Sequence, residues 1–209
     1  MNYSDKQLQI IEIAETLFAE NGFHGTSIRD IAEKGNINIA MVSYYFGSKE
    51  KLLEAIFEFR GEKTKLKLES IVQKSGLKAM EKIDLLIDHY IEKIMMSQNF
   101  HKIMVREQVL NNSIPISDLI LALKRINLDI ISKLIVEGQE NGEFKKDIHI
   151  PMMMTIMVGT ANNLITSKQY YRELSNLQAL SEEDFHDHIK STLSTHLKFL
   201  IKTMLTNEF

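Results

Sequence analysis

Two prolines and nine glycines are all that interrupt 209 residues. Proline deletes a backbone donor and glycine is the costliest residue to order, so a chain this poor in both is committed to long unbroken elements. Between the breakers, apolar side chains recur three and four residues apart. Leu8, Ile11, Ala14, Leu17 and Phe18 do so in the first segment, and Leu52, Leu53, Ile56 and Phe57 in the fourth. This is helical spacing, and no segment alternates convincingly as a strand. The expected fold class is all-α.

Start and stop signals divide the chain further. Ser4 with Gln7 three residues on reads as a capping box, and Asn21-Gly22 as the stop of that helix. Thr26 opens a short second helix, which Lys34-Gly35-Asn36 breaks. Asn38 caps a short third, ended by Gly47, and Ser48 caps a fourth that runs to about Lys74. Longer helices are expected at about 77–97, 99–111, 116–140, 150–170 and 181–205.

Composition excludes several classes. The absence of cysteine removes disulfide scaffolds, thiol nucleophiles and Cys-ligated metal sites. No run reaches the roughly 20 apolar residues of a membrane span, and the first residues lack signal-peptide organisation. A soluble cytoplasmic protein without membrane contact is expected. No Gly-x-Ser-x-Gly, phosphate-binding loop or His-Glu-x-x-His is present, so neither enzymatic activity nor a cofactor is expected. His186-Asp187-His188 sits on a helix, where positions i and i+2 diverge, so no metal site is expected there either.

The order long helix, short helix, tight turn, short helix, long helix is the informative pattern. Two short helices joined by Lys34-Gly35-Asn36 fit a helix-turn-helix, whose second helix enters the DNA major groove. The residues sharpen it. Leu17-Phe18 with Gly22-Phe23, then Thr26 to Ala32, then Tyr45-Phe46-Gly47-Ser48-Lys49 with Leu52-Leu53, closely resemble the N-terminal domain of the TetR family of bacterial transcriptional repressors. The match covers residues 6 to about 60 without a gap. The run Glu137 to Phe144 is similar to a stretch common in that family's C-terminal domain. The third helix departs from the pattern. Asn38, Ile39, Ala40 and Met41 stand where the family often has Ser, Lys, Gly and Thr, and Val42-Ser43 replaces a usual Leu-Tyr.

The resemblance implies a homodimeric regulator that binds double-stranded DNA at a palindromic operator and is relieved by a small ligand. The expected domains are a helix-turn-helix domain over 1–48, a connecting helix over 49–76, and a helical effector-binding and dimerisation domain over 77–209. Thr26 and Ser27 at the start of the second helix, and Lys49 at the start of the fourth, suit phosphate oxygens. Tyr45 matches a family position that bonds phosphate. Arg29 matches one that reaches a guanine edge, and its bland alternative is an ion pair with Glu33. Asn38, Ile39, Ala40, Met41, Ser43 and Tyr44 are the base-reading candidates, and the apolar ones among them suit thymine methyl groups. Residues 1–60 hold six basic against nine acidic residues, so little non-specific DNA binding is expected.

The second half is rich in methionine, which fits an adaptable apolar pocket and equally fits plain core. His89, Met96, Phe100, Met104, Arg106, Met153, Asn162, Asn163 and Tyr170 are the candidates for a small apolar or amphipathic ligand. The last two helices resemble the family's dimer elements. Gly159, Thr160 and Ala161 permit close approach there, and Leu193, Leu197 and Leu200 form a stripe. The rival reading is a helical protein-interaction adaptor that does not bind DNA.

Overall fold

The computed structural model describes residues 3–110 and 114–206. Among them lie ten helices: α1 (Asp5–Asn21), α2 (Ile28–Lys34), α3 (Ile39–Phe46), α4 (Lys49–Val72), α5 (Ala79–Met96), α6 (Gln98–Leu110), α7 (Ile114–Glu140), α8 (Ile150–Thr166), α9 (Lys168–Leu174) and α10 (Glu182–Leu205). No strand occurs among the described residues.

The helix ends follow the side chains that cap them. Ser4 and Gln7 form the reciprocal capping box of α1. Gly22, at φ +79° and an extended ψ, closes α1 through its N–H on Phe18 O, a conformation that side-chain-bearing residues avoid. After α2 the left-handed residue is Asn36 (φ +47°), not Gly35. Ser48 Oγ accepts the Lys51 N–H at 3.2 Å to start α4.

One expected helix is broken. The span 150–170 divides at Ser167 into α8 and α9. The hydroxyls of Thr166 and Ser167 fold back onto the carbonyls of Asn162 and Asn163 and so compete for the acceptors that would carry the helix onward.

The chain packs as two compact units, and they do not follow the expected boundaries. One contains residues 1–67 and 97–126, the other 68–96 and 127–209. α6 and the first half of α7, expected with the second domain, share a core with α1 to α4. Phe100 meets Phe57 edge-on at 5.1 Å, and Ile103, Ile116 and Ile120 are buried beside Ile10, Phe18, Leu52 and Ile56. Inside this unit Glu15 of α1, 3% exposed, accepts two bonds from Arg60 of α4, at 2.7 Å from Nε and 2.9 Å from Nη2.

In the other unit, α5, the second half of α7, α8 and α10 enclose Ile87, Ile91, Leu134, Ile135 and Ala161. Leu193 and Leu197, two members of the stripe on the last helix, are buried in this core, while Leu200 is exposed, as is Phe199. The Glu137–Phe144 run has a packing reason. A Cβ on Gly138 would fall 2.2 Å from the Phe144 ring, so only glycine lets that ring close over α7. Lys82, buried on α5, reaches Glu137 at 2.9 Å.

Candidate nucleic-acid interface

In α3 each residue turns about 100° from the last, so Ile39, Ser43, Ala40 and Tyr44 share a sector of about 140°. All four are exposed, Ile39 at 46% and Tyr44 at 83%. The opposite side is anchored by Val42, which is fully buried, with Phe46 packed on the same core. Met41 and Tyr45 are half-buried at the margins. Tyr45 meets Tyr44 edge to face at 5.3 Å between centroids.

The helix start is fixed by Asn38, whose Oδ1 accepts the Ala40 N–H at 2.8 Å. The start of α2 is fixed by Ser27 and Asp30. Asp30 Oδ2 accepts the Ser27 N–H at 2.7 Å, and Ser27 Oγ accepts the Asp30 N–H at 3.2 Å. The Ser27 backbone N–H first, then its hydroxyl, hold the Asp30 carboxyl below the ordinary aspartate value. A depressed folded value means that the cap contributes above the unfolded pKa and is lost as pH falls through the folded one. In a carboxyl NMR titration Asp30 is therefore expected to titrate below about pH 3.9. A midpoint at or above that value would mean an open box.

Two expected phosphate ligands are otherwise engaged. Thr26 is 1% exposed, and its hydroxyl donates to Gly22 O at 2.9 Å and Leu17 O at 3.2 Å. It seals the α1–α2 turn and offers nothing outward, so the expectation for its side chain is corrected. Lys49 Nζ donates to Phe23 O and Thr26 O, both at 2.9 Å, and lies 4.4 Å above the Phe23 ring. The carbonyls of the same turn have captured the cation expected on the surface.

The other cations of the segment are also engaged: Arg60 with Glu15, Lys51 with Glu54, Lys34 with Glu20 and Lys6 with Gln9. Arg29 is exposed, and among the described residues it makes no ion pair with Glu33. The sequence reading missed the Glu15–Arg60 clamp. Its signal was a carboxylate lying on the apolar face of the first helix, four residues from Ile11 and three from Phe18.

The nine ligand candidates divide between the two units. Phe100, Met104 and Arg106 belong to the first unit; His89, Met96, Met153, Asn162, Asn163 and Tyr170 belong to the second. Phe100 and Met153 are buried core, and Met104 packs against the core containing Phe100. Arg106 is exposed, with its guanidinium against the Gly22 backbone. Met96, Asn163 and Tyr170 are exposed, and His89 is half-buried. Asn162 Oδ1 accepts from Tyr90 OH at 3.3 Å. Burial pushes that phenol well above the ordinary tyrosine value. The first unit also holds an apolar recess of about 550 Å³ between α4 and α7, lined by Phe57, Phe59, Leu66, Leu119, Leu123 and Ile126. None of the nine candidates lines it.

A short helix with an outward, largely apolar sector, held by a capped partner helix and a tight turn, defines a helix-turn-helix DNA-binding protein. The particular family follows from comparison. The profile described as bacterial regulatory proteins, tetR family, matches residues 10–56, and that of the YsiA-like protein C-terminal region matches residues 61–191. The chain belongs to the TetR family of bacterial regulatory proteins and is a DNA-binding transcriptional regulator, which sets the adaptor reading aside.

It is similar to the fatty acid metabolism regulator protein of Bacillus subtilis, at 25% identity over 84% of this chain and 90% of that one. Its fold is similar to that of the Bacillus subtilis regulator FadR solved with stearoyl-CoA, with a TM-score of 0.72, 20% identity, and 95% and 99% of the two chains covered. It is also similar to the ketosteroid regulator KstR2 of Mycobacterium tuberculosis, with a TM-score of 0.71, 19% identity, and 99% and 98% covered. No helix among the described residues is long and apolar enough to cross a membrane.

Proposed function

We propose that the protein is a cytoplasmic, homodimeric repressor that holds a palindromic operator and releases it on binding a long-chain amphipathic ligand of the fatty-acyl type. The observation that carries the DNA half is the exposed sector of α3, which presents Ile39, Ala40, Ser43 and Tyr44 outward from a helix whose other side is sunk in the core. Ser27, Arg29 and Tyr45 flank it as phosphate or base contacts. The fatty-acyl class is supported by the relative whose name describes fatty acid metabolism, aligned over 84% of this chain.

In this reading residues 1–48 meet DNA, 49–76 connect, and 77–209 bind the ligand and dimerise. α6 and the first half of α7 serve both assignments, since they pack with the N-terminal helices. The exposed Met152, Ile156 and Thr160 of α8, with Phe199 and Leu200 of α10, form the face offered to a second copy. A two-fold axis through that face would present two copies of α3, and successive major grooves require them about 34–36 Å apart. No catalytic role is assigned.

The test is selection of bound sequences from random duplex DNA with the full chain, followed by titration with stearoyl-CoA. A palindrome is expected, with half-sites about one helical turn apart. Ligand is expected to weaken operator binding by about 5- to 150-fold. Absence of enrichment at low salt would overturn the DNA reading. A palindrome whose affinity ignores stearoyl-CoA would overturn the fatty-acyl assignment alone.

A further inference from the structure

We infer that α3 reads its operator through the methyl groups of thymine, with Ile39 and Ala40 as the specificity-determining side chains. The inference rests on the DNA-binding reading above and goes beyond it by naming the base chemistry.

Discrimination in the major groove uses a short list of side chains. Arginine or lysine bonds guanine, asparagine or glutamine bonds adenine, aspartate or glutamate bonds the cytosine amine, and apolar groups touch the thymine methyl. The exposed sector of α3 contains Ile39, Ala40, Ser43 and Tyr44, and so none of the first three classes. Asn38, at the edge, has committed its carbonyl oxygen to the Ala40 N–H. The guanidinium of Arg29 stands on α2, not on α3. Ser43 and Tyr44 carry hydroxyls, which donate and accept and so accommodate any base or phosphate.

Position strengthens the case. The N-terminal residues of a recognition helix are the ones that meet base edges. Here those are Ile39 and Ala40, the first two residues of α3. An exposed isoleucine at 46% on a surface that must desolvate against DNA gains by covering a methyl. Placed over the cytosine amine or the guanine carbonyl, it leaves a polar group without water or partner, which costs binding. Each half-site is therefore expected to place thymines under Ile39 and Ala40, on either strand.

The experiment starts from the selected palindrome and replaces each thymine by deoxyuridine, which removes the methyl and keeps the O4 acceptor and the pairing. Affinity is expected to fall about 4-fold for a contacted thymine, and about 15-fold when the symmetric pair is replaced. 5-Bromodeoxyuridine, with a bromine of methyl size, restores it. In Ile39→Ala the same replacement loses its effect at one position per half-site and keeps it at others. A palindrome whose affinity is indifferent to deoxyuridine at every thymine overturns the inference and leaves the regulator reading standing. So does a half-site with no thymine. Failure to enrich any duplex overturns both. The DNA replacements are read with the unaltered protein, so folding of a variant does not enter the main result.

Discussion

Truncating Arg60 to alanine is expected to lower the stability of the N-terminal unit by about 2–4 kcal/mol, somewhat less than the loss of one member of a fully buried ion pair because the arginine is partly exposed. Glu15 is 3% exposed and its two oxygens take two bonds from one guanidinium. Without that guanidinium the buried carboxylate loses both of these bonds. Removing both members is a different experiment. Glu15→Met with Arg60→Met replaces the pair by apolar groups of similar length, and such replacements are often neutral or stabilising. Urea unfolding followed by circular dichroism should therefore rank Arg60→Ala far below both the parent and the double variant. A loss of under about 1 kcal/mol in the single variant, the range of an exposed pair, would show that the clamp is superficial.

The second large effect is at Lys49. Its ammonium ties Phe23 O and Thr26 O to the start of α4 and rests over the Phe23 ring. Bonds to a charged group contribute about 1.5–3 kcal/mol each when buried, and this side chain is only partly so. Lys49→Ala is expected to cost about 2–4 kcal/mol in unfolding experiments on that basis. Operator binding should weaken with it, since the α1–α2 turn and α4 are no longer held together.

Salt dependence separates a strut from a phosphate ligand. Loss of a phosphate contact lowers the slope of log affinity against log salt by about 0.9. Loss of a strut leaves the slope unchanged and lowers the melting temperature. The second outcome is expected. A reduced slope with parental stability would return Lys49 to the DNA surface.

Helix positions were largely readable because several helices start at a side chain with a local mechanism, such as Ser4 with Gln7, Asn38, or Ser48. The break at Ser167 was not. It depends on two hydroxyls turning back on Asn162 and Asn163, a choice open to any Thr-Ser pair in a helix and usually without consequence. The buried and exposed sides of α3 were readable, because periodicity alone separates Val42 from the outward residues. The placement of the Thr26 and Lys49 side chains was not, because whether a hydroxyl or an ammonium faces outward depends on carbonyls that the tertiary turn brings near.

The grouping of α6 with α1 to α4 was likewise beyond reach. It is set by non-local contacts such as Phe100 on Phe57, between helices whose amphipathic patterns show only that each needs a neighbour. For the same reason the sequence did not show that the ligand candidates, chosen as methionines, aromatics and polar residues within apolar runs, divide between two units.

The sector of α3 that faces outward shares no residue with the side that holds the helix in place. Val42 and Phe46 serve folding, while Ile39, Ala40 and Ser43 contribute little to it. Exposed substitutions of this kind usually move stability by less than about 0.5 kcal/mol. A duplicated copy of the gene can therefore try new side chains at three positions without risking the scaffold. Divergence onto a different set of promoters needs only a few mutational steps, none of which passes through an unfolded intermediate.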